Sequence, residues 1–561
     1  MPANTYDAII VGSGITGGWA AKELTEKGLN TLVLEAGRSI VPEQDYVEHV
    51  PVWELKYRNW DDRNKRQKTQ PVQREVYYAC DEYSSKFFVS DVENPYTNVP
   101  GSKFSWIRGR QVGGKSITWG RQSYRWSDLD FEANLKDGVA VDWPIRYADV
   151  APWYDYVEEF AGISGQAEGL PQLPDGKFLP PMEMNCAELA FRDGLAKNFD
   201  DRILTIGRSA VLTQVHKGRA ACHYCGVCHR GCITSSYFSS LNSTLPAAQK
   251  TGKFTIRPYS VVHSLVFDPN TRKVTGVRVI DAQTKVTTEY KARVFFLCAS
   301  TLESTRILLN SATTEFPNGL ANSSGELGHN LMDHHMGAGA SGIMPGHEDK
   351  MPHGNRPNGI YVPRFRNVKT KQKEFIRGYG YQGGGSRENW GRGATMAGIG
   401  VDFKNALKGP GAWRMGLGGF GECLPYHTNY AELNKEKLDA WGIPTLTIHC
   451  EWGDNEKAMS KDIAVQAAEM LAASGAREIG VYQDMSSPGL GIHEMGTARM
   501  GRDPKTSVLN EHNQTHDVKN LFMTDGACMT SAACVNPSLT YMALTARACD
   551  FVVTQMKQRE L

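Results

Sequence analysis

No stretch of this 561-residue chain approaches the ~20 consecutive apolar residues of a membrane-spanning helix, so none is expected. An excess of charge of one sign is also missing. Lysine and arginine number 62 against 61 aspartates and glutamates, a formal net charge of +1, which excludes the general field of a nucleic-acid or anionic-membrane binder. The opening MPANTYDAIIVG enters an apolar strand at once and leaves no room for a secretory signal, so none is expected. Internal repeats and a disordered tail are absent too. Twelve cysteines are too few for a disulfide scaffold in a chain of this length. Eight of them, Cys80, Cys186, Cys298, Cys423, Cys450, Cys528, Cys534 and Cys549, are scattered and read as small, buried, inert side chains. Length alone predicts more than one domain, because single cores rarely grow past roughly 250–300 residues.

What is present begins with a nucleotide-binding pattern. Residues 6–11 (YDAIIV) read as a short buried strand, followed by Gly12-Ser13-Gly14-Ile15-Thr16-Gly17 and an alanine-rich helix ending at Gly28. A second strand, TLVLEAG, carries Glu35 at its end. In such a βαβ unit Gly12 permits the tight turn, Gly14 lets backbone N–H groups approach a pyrophosphate, and Gly17 lets helix and strand pack closely. The helix N-terminus favours the phosphate charge, and Glu35 accepts from the ribose hydroxyls.

The four remaining cysteines are clustered as Cys222-x2-Cys225-x2-Cys228-x3-Cys232, the spacing of a ferredoxin run that wraps an iron–sulfur cluster. Zinc and a redox disulfide are the alternatives. Structural zinc usually draws on two separated pairs of ligands, and a redox dithiol needs only two cysteines. Elsewhere, the basic stretch 56–76 reads as a solvated loop or a partner-docking segment, and 250–300 as a β-meander returning to the central sheet. Residues 378–394 (GYGYQGGGSRENWGRGA) are too glycine-rich for a regular element and read as a mobile loop over a site or an exposed connection.

Further segments resemble one family. RGRQVGGKSITWG (108–120) is similar to the flavin-embracing loop of the glucose–methanol–choline (GMC) oxidoreductases. ASTLESTRILLNSA (299–312), LGHNLMDHH (327–335), HEMGTARMG (493–501) and NLFMTDGACMTSAACVNPSLTYMALTARACD (520–550) resemble its other motifs, in its order. The cysteine run resembles that of the iron–sulfur-containing bacterial sugar dehydrogenases, the glucoside 3-dehydrogenase and FAD glucose dehydrogenase catalytic subunits. The resemblance implies an α/β fold: a Rossmann-like FAD-binding domain with a second substrate domain built on an antiparallel sheet. The FAD domain is expected from 1–50, 101–140, 200–330 (with the cysteine loop 219–235) and 481–561, the substrate domain and inserts from 51–100, 141–199 and 331–480.

The same resemblance implies FAD, a three-iron cluster (four-iron as the alternative), a small escort subunit with a twin-arginine signal, and a cytochrome acceptor. With an escort the chain is expected in the periplasm, otherwise in the cytoplasm. It places His493 as the catalytic base, a role that a neutral imidazole of near-neutral pKa suits, and Asn536 as the group orienting the hydroxyl. Gly113, Gly114 and Ser116 match the loop closing over the flavin, and Asp525 and Gly526 the phosphate and ribityl segment. Asn536-Pro537-Ser538 reads as a capped helix start aimed at the ring. Cys225 is the expected spare thiol. The implied substrate is a sugar, oxidised at C3 of a glucoside or disaccharide, with C1 of glucose as the alternative. Trp390, Trp413 and Tyr426 are aromatic candidates for a sugar platform. An oxygen-using oxidase and a non-catalytic flavin–cluster electron carrier are the rival readings.

Overall fold

The computed structural model describes residues 4–46, 54, 62–76 and 78–561. Strand Thr5–Val11 lies between Thr31–Leu34 and Thr287–Leu297, parallel to both, and Phe254–Arg257 extends the Thr31–Leu34 edge. The inner stretches 8–11, Thr31–Leu34 and 294–297 are nearly unbroken apolar runs because both faces of the sheet are covered there. Alternation sorts the residues. Ala8 and Ile10 join Val33, Phe296 and Phe522 beneath Ala20 and Leu24 of helix Ile15–Glu26 and Val552 of helix Ser538–Gln558. Ile9 and Val11 face the opposite core with Leu32, Phe295 and Leu521.

Strand Thr287–Leu297 forks. Its first half pairs antiparallel with Lys273–Asp281, which pairs with Ser260–Asp268, and its last three residues run parallel to Leu521–Met523. The meander expected over 250–300 is this return to the central sheet. All the parallel strands end on one edge, so the loops after Val11, Leu34, Leu297 and Met523 open into one crevice. Open α/β sheets bind ligands at that edge.

A second, six-stranded antiparallel sheet runs Arg477–Gln483, Ala338–Ile343, Trp413–Gly421, Tyr379–Arg387, Ile360–Val362 and Thr205–Ile206. Helix Asp454–Ala473 supplies Met459, Ile463 and Met470, and helix Cys186–Asn198 supplies Phe191 and Leu195, to the core against Tyr381, Met415 and Leu417. The sheet reaches into residues 205–206 and past 480, and helix Tyr147–Ala161 packs Val150, Tyr154 and Val157 into the nucleotide-side core.

The glycine-rich stretch expected to be irregular corrects the sequence reading. Tyr379–Arg387 is an inner strand paired with Trp413–Gly421 along its whole length. Its glycines are demanded by close approach. A Cβ at Gly383 would stand 2.0 Å from the Gly416 carbonyl, and one at Gly385 2.6 Å from the Asn185 side chain. Of the basic stretch 56–76, residues 56–61 lie outside the described residues. The rest forms helix Arg63–Thr69 and a short turn, with Arg66, Gln73 and Val76 buried.

A buried arginine joins the two halves. The side chains of Arg377 and Glu422 are both fully buried and 3.0 Å apart. Arg377 also donates to Asn134 Oδ1 at 2.7 Å and lies 2.9 Å from Asp137, both of the nucleotide-side segment. Removing the guanidinium leaves a buried carboxyl without its partner, so Arg377→Met is expected to cost about 3–5 kcal/mol in chemical denaturation. The Arg377→Met/Glu422→Gln pair should recover part of that loss; a double variant no more stable than the single one would refute the coupling.

Candidate active site

The crevice is built from the first glycine turn outward. Gly12 has φ +95°, and a Cβ there would lie 2.4 Å from the Cys298 carbonyl; one at Gly17 would lie 1.9 Å from the Gly12 carbonyl. Only glycine fits. Gly14 is the N-cap of helix Ile15–Glu26, so the free N–H groups of its first turn face the cavity. Glu35 accepts from Ser13 Oγ at 2.6 Å, Ser13 N at 3.2 Å and Gly37 N at 2.9 Å, and burial raises its carboxyl. Gly113 and Gly114 take positive φ, and Ser116 Oγ donates to the Gly113 carbonyl at 2.5 Å, pressing this loop onto Gly14. Asp525 accepts from Ser304 Oγ at 2.5 Å and from Ala527 N at 3.1 Å, with its carboxyl pushed up to about 6 by burial. Gly526 sits where a Cβ would meet the Glu494 carbonyl at 2.2 Å.

These residues line one cavity of about 580 Å³ that runs from Glu35 and Val262 past Gly14, Ser116 and Asp525 to His493 and Asn536. Gly17, Gly113 and Pro537 stand behind its wall. The fit to a dinucleotide rests on the lining. Buried polar atoms without a hydrogen-bond partner gather along this cavity, among them Arg108 Nε, Glu303 Oε1, Asn310 Nδ2, Glu494 Oε1 and Tyr541 Oη. Buried polar groups otherwise find partners, so this row matches a long polar ligand such as FAD.

At the inner end, His493 and Asn536 meet. Asn536 Nδ2 lies 3.3 Å from His493 Nε2, and Gln382 Nε2 donates to Asn536 Oδ1 at 2.6 Å. His493 Nδ1 lies 2.8 Å from His334 Nδ1, and His334 Nε2 lies 3.0 Å from the Ala533 carbonyl. The Asp333 carboxylate accepts from the backbone N–H groups of Gly489, Gly491 and His493 at 2.8–3.0 Å. Burial pushes this carboxyl up to about 7, with the nearby Glu494 charge adding to it. The Asn536 side chain does not cap the last helix. Pro537 takes the cap position, and the amide is held by Gln382 and His493 instead. Gln382, His334 and Asp333 were not singled out from the sequence. Gln382 lies inside the glycine-rich stretch, and the other two inside LGHNLMDHH.

Burial holds His493 well below the usual histidine range, with His334 and Lys115 adding to the effect; burial brings His334 down to about 4 and His335 to about 3. All three are neutral in the native state. Their contribution to stability is complete above the unfolded histidine range and is lost as pH falls below about 6.5. Between pH 7.5 and pH 5 each is expected to cost roughly 2 kcal/mol. The raised Asp333 and Asp525 carboxyls act in the opposite direction, so the test is a difference: His335→Gln should lessen the loss between pH 7.5 and pH 5 by roughly 2 kcal/mol relative to the parent in thermal unfolding.

The cysteine loop forms part of the same wall, with Gly226, Cys228 and His229 lining the cavity. Cys222, Cys228 and Cys232 pack in one apolar cluster with Val211 and Tyr237, while Cys225 lies outside it, its backbone bridged to Asn355. Backbone N–H groups approach two of the sulfurs, Tyr224 N to Cys222 at 3.4 Å and Ser236 N to Cys232 at 3.3 Å. Burial pushes the Cys222 thiol up to about 11 and raises Cys228. Among the described residues no group of three or more His, Cys, Asp or Glu side chains is placed to hold a metal ion, and no disulfide forms.

Asp81 pins this loop from a distant part of the chain. Its Oδ2 accepts from His229 Nε2 at 3.0 Å and Arg230 Nε at 2.8 Å, and its Oδ1 from Tyr83 N and Ser84 N at 2.9 Å. Burial works to raise the carboxyl, but the His229 hydrogen bond and the Arg230 charge overcome it and hold Asp81 well below the usual range. Of the aromatic platform candidates, Trp413 is buried in its sheet, Trp390 is exposed, and Tyr426 donates to Glu456 at 3.0 Å. None of the three lines the cavity; Trp106, Trp119, Phe420 and Tyr541 do.

Comparison with known proteins agrees with this geometry. The family models described as GMC oxidoreductase match residues 6–336 and 425–545. The chain is 28% identical to the 2-methyl-1,2-propanediol dehydrogenase of Mycolicibacterium austroafricanum, covering 98% of this chain and 95% of that one. It is 26% identical to the fructose dehydrogenase large subunit of Gluconobacter japonicus, covering 98% of each. Among solved structures, pyridoxine 4-oxidase from Mesorbium loti superposes with a TM-score of 0.60 at 17% identity, over 97% of this chain and 98% of that one. No described helix is long and apolar enough to cross a membrane. A glycine-turn nucleotide crevice, a histidine–asparagine pair at its inner end and family models spanning both halves lead to one conclusion: the chain belongs to the GMC oxidoreductase family.

Proposed function

We propose that this protein is an FAD-dependent dehydrogenase that oxidises a sugar hydroxyl and passes the electrons through an iron–sulfur cluster to an external acceptor such as a cytochrome. One observation carries the reading: the His493–Asn536 pair and Cys228 line the same cavity. His493 Nε2 is the site that takes the hydroxyl proton, since burial keeps this ring neutral. Asn536 turns its amide N–H toward the same point, held there by Gln382. Lys115 pairs with Glu494 at 3.0 Å beside the base. Bound FAD supplies the acceptor for the carbon-bound hydrogen with its electron pair, and the alcohol leaves as a carbonyl compound.

Cys222, Cys228 and Cys232 are the ligands we assign to the cluster, three-iron in preference to four-iron, with Cys225 spare. Their shared apolar cluster and the N–H groups directed at sulfur support this assignment. A cluster there supplies a one-electron exit. The relative named as a dehydrogenase large subunit supports export of electrons to a second subunit. Segments 114–126 and 221–232 resemble glucoside 3-dehydrogenases, which supports oxidation at C3 of a glucoside or disaccharide. A small escort subunit then carries the folded chain to the periplasm.

His493→Ala should retain the FAD absorbance and slow sugar-driven flavin bleaching by roughly 10²–10⁴-fold; unaltered bleaching removes the mechanism. Iron and acid-labile sulfide should be found together. Cys228→Ser should lose them, Cys225→Ser should keep them, and Asp81→Asn should retain less iron than the parent because the loop is unpinned. Stoichiometric zinc, or peroxide release in place of cytochrome reduction, would overturn the relay.

A further inference from the structure

The four-nitrogen chain behind the base assigns a role to His334, a residue outside the proposed machinery. The Ala533 carbonyl can only accept a hydrogen bond, so the group facing it at 3.0 Å, His334 Nε2, carries the proton. His334 is fully buried and its ring neutral, so its second nitrogen then presents a lone pair. That nitrogen lies 2.8 Å from His493 Nδ1. Two ring nitrogens at this distance share one proton, and His334 has already placed its own on the far side. The proton between them therefore belongs to His493 Nδ1. His493 Nε2 is left bare, facing the Asn536 amide N–H at 3.3 Å and the cavity. Reversing either ring sets a lone pair against a lone pair, at the carbonyl or between the imidazoles.

We propose that His334 is the positioning residue that fixes His493 in the Nδ1–H tautomer and so directs its lone pair at the substrate hydroxyl. The inference rests on the reading of His493 as the base and specifies what makes that ring competent. His334 also ties together the two loops that carry the pair. Ile492, immediately before His493, holds φ +58°, and Ala533, three residues before Asn536, holds φ +55°. A positive φ is costly at a β-branched residue, and both strained residues adjoin groups held by Asp333 and His334. One ring thus sets the proton position on one catalytic partner and the carbonyl beside the other.

The test is the tautomer itself, read from ring nitrogen shifts in 15N-histidine-labelled holoenzyme, with His493→Ala assigning the signals. Wild-type protein should show His493 protonated at Nδ1 and bare at Nε2. His334→Phe should give a mixture of tautomers and lower kcat with methyl α-glucopyranoside by about 10²-fold, with KM little changed, as expected when a base loses its orienting partner. His334→Asn, whose amide oxygen takes the Nδ1 position, should restore the tautomer and most of kcat. A wild-type His493 protonated at Nε2, or a His334→Phe enzyme keeping the parent tautomer and rate, would overturn the inference. Should His334→Phe fail to fold, the wild-type spectrum and His334→Asn still decide it. Failure of the base reading is recognised separately, by unaltered flavin bleaching in His493→Ala.

Discussion

The dipeptide Asp333-His334 holds the reactive end of this enzyme together. Asp333 collects three backbone N–H groups from 489–493, and His334 takes the His493 ring on one side and the Ala533 carbonyl on the other. Neither side chain needs solvent, and both are buried. Three N–H donors converging on one carboxylate are charge-assisted and worth more than neutral bonds. They work against desolvation and the Glu494 charge, which still leave the carboxyl pushed up to about 7. The backbone pays locally for this arrangement at Ile492 and Ala533, and rare conformations of this kind persist only where the surroundings over-determine them. A fixed His493 ring follows from the two side chains together.

The position of that dipeptide explains why the site lies between two folds. It precedes strand Ala338–Ile343, whose sheet also carries Gln382 on its neighbour-but-one strand. The parallel sheet supplies everything at the other end: the glycine turn after Val11, Glu35 after Leu34, the loop after Leu297 and Asp525 after Met523. Residues more than 500 positions apart, Gly12 and Asp525, converge because parallel strands finish on one edge. The antiparallel sheet then closes the cavity from above and fixes Asn536 through Gln382. Arg377, paired with Glu422 at the end of that sheet, reaches across to Asn134 and Asp137 of the nucleotide side and so ties the two halves together.

Much of this was legible in the chain, and the omissions have physical reasons. The βαβ start could be read because a turn that excludes every Cβ at Gly12 and Gly17 leaves a glycine signature between apolar runs. His493 and Asn536 were visible only through motif context, since a histidine and an asparagine by themselves announce nothing. Trp390–Ala394 is the exposed connection expected, but Tyr379–Arg387 departs from the expectation for 378–394, because glycine normally breaks strands. Here it is required by a carbonyl 2.0 Å from where a Cβ would be, a fact about tertiary packing that no local pattern contains. Gln382 was lost with it. Asp81 was equally invisible, as it acts on Arg230 across 149 positions. His334 stood in a recognised motif, but its role depends on which nitrogen faces a carbonyl, and that is a property of three dimensions alone.

The cysteine loop joins these two levels of reading. Spacing alone left zinc, a dithiol and a cluster open; packing adds that three of the four sulfurs share an apolar environment and the fourth does not. A buried thiol resists ionisation, and burial indeed raises Cys222 and Cys228. Such a group becomes a ligand when a cation takes up the charge that burial penalises. The guanidinium of Arg121 is the neighbouring protein cation: it works against the burial of Cys228, lies 5.4 Å from the Tyr237 ring centroid, and lines the nucleotide cavity as well. Its buried Nε has no hydrogen-bond partner. A positive group thus borders both the cavity and the Cys228 sulfur, where it favours negative charge. On the proposed reading, that is the property a passage for electrons from one to the other requires.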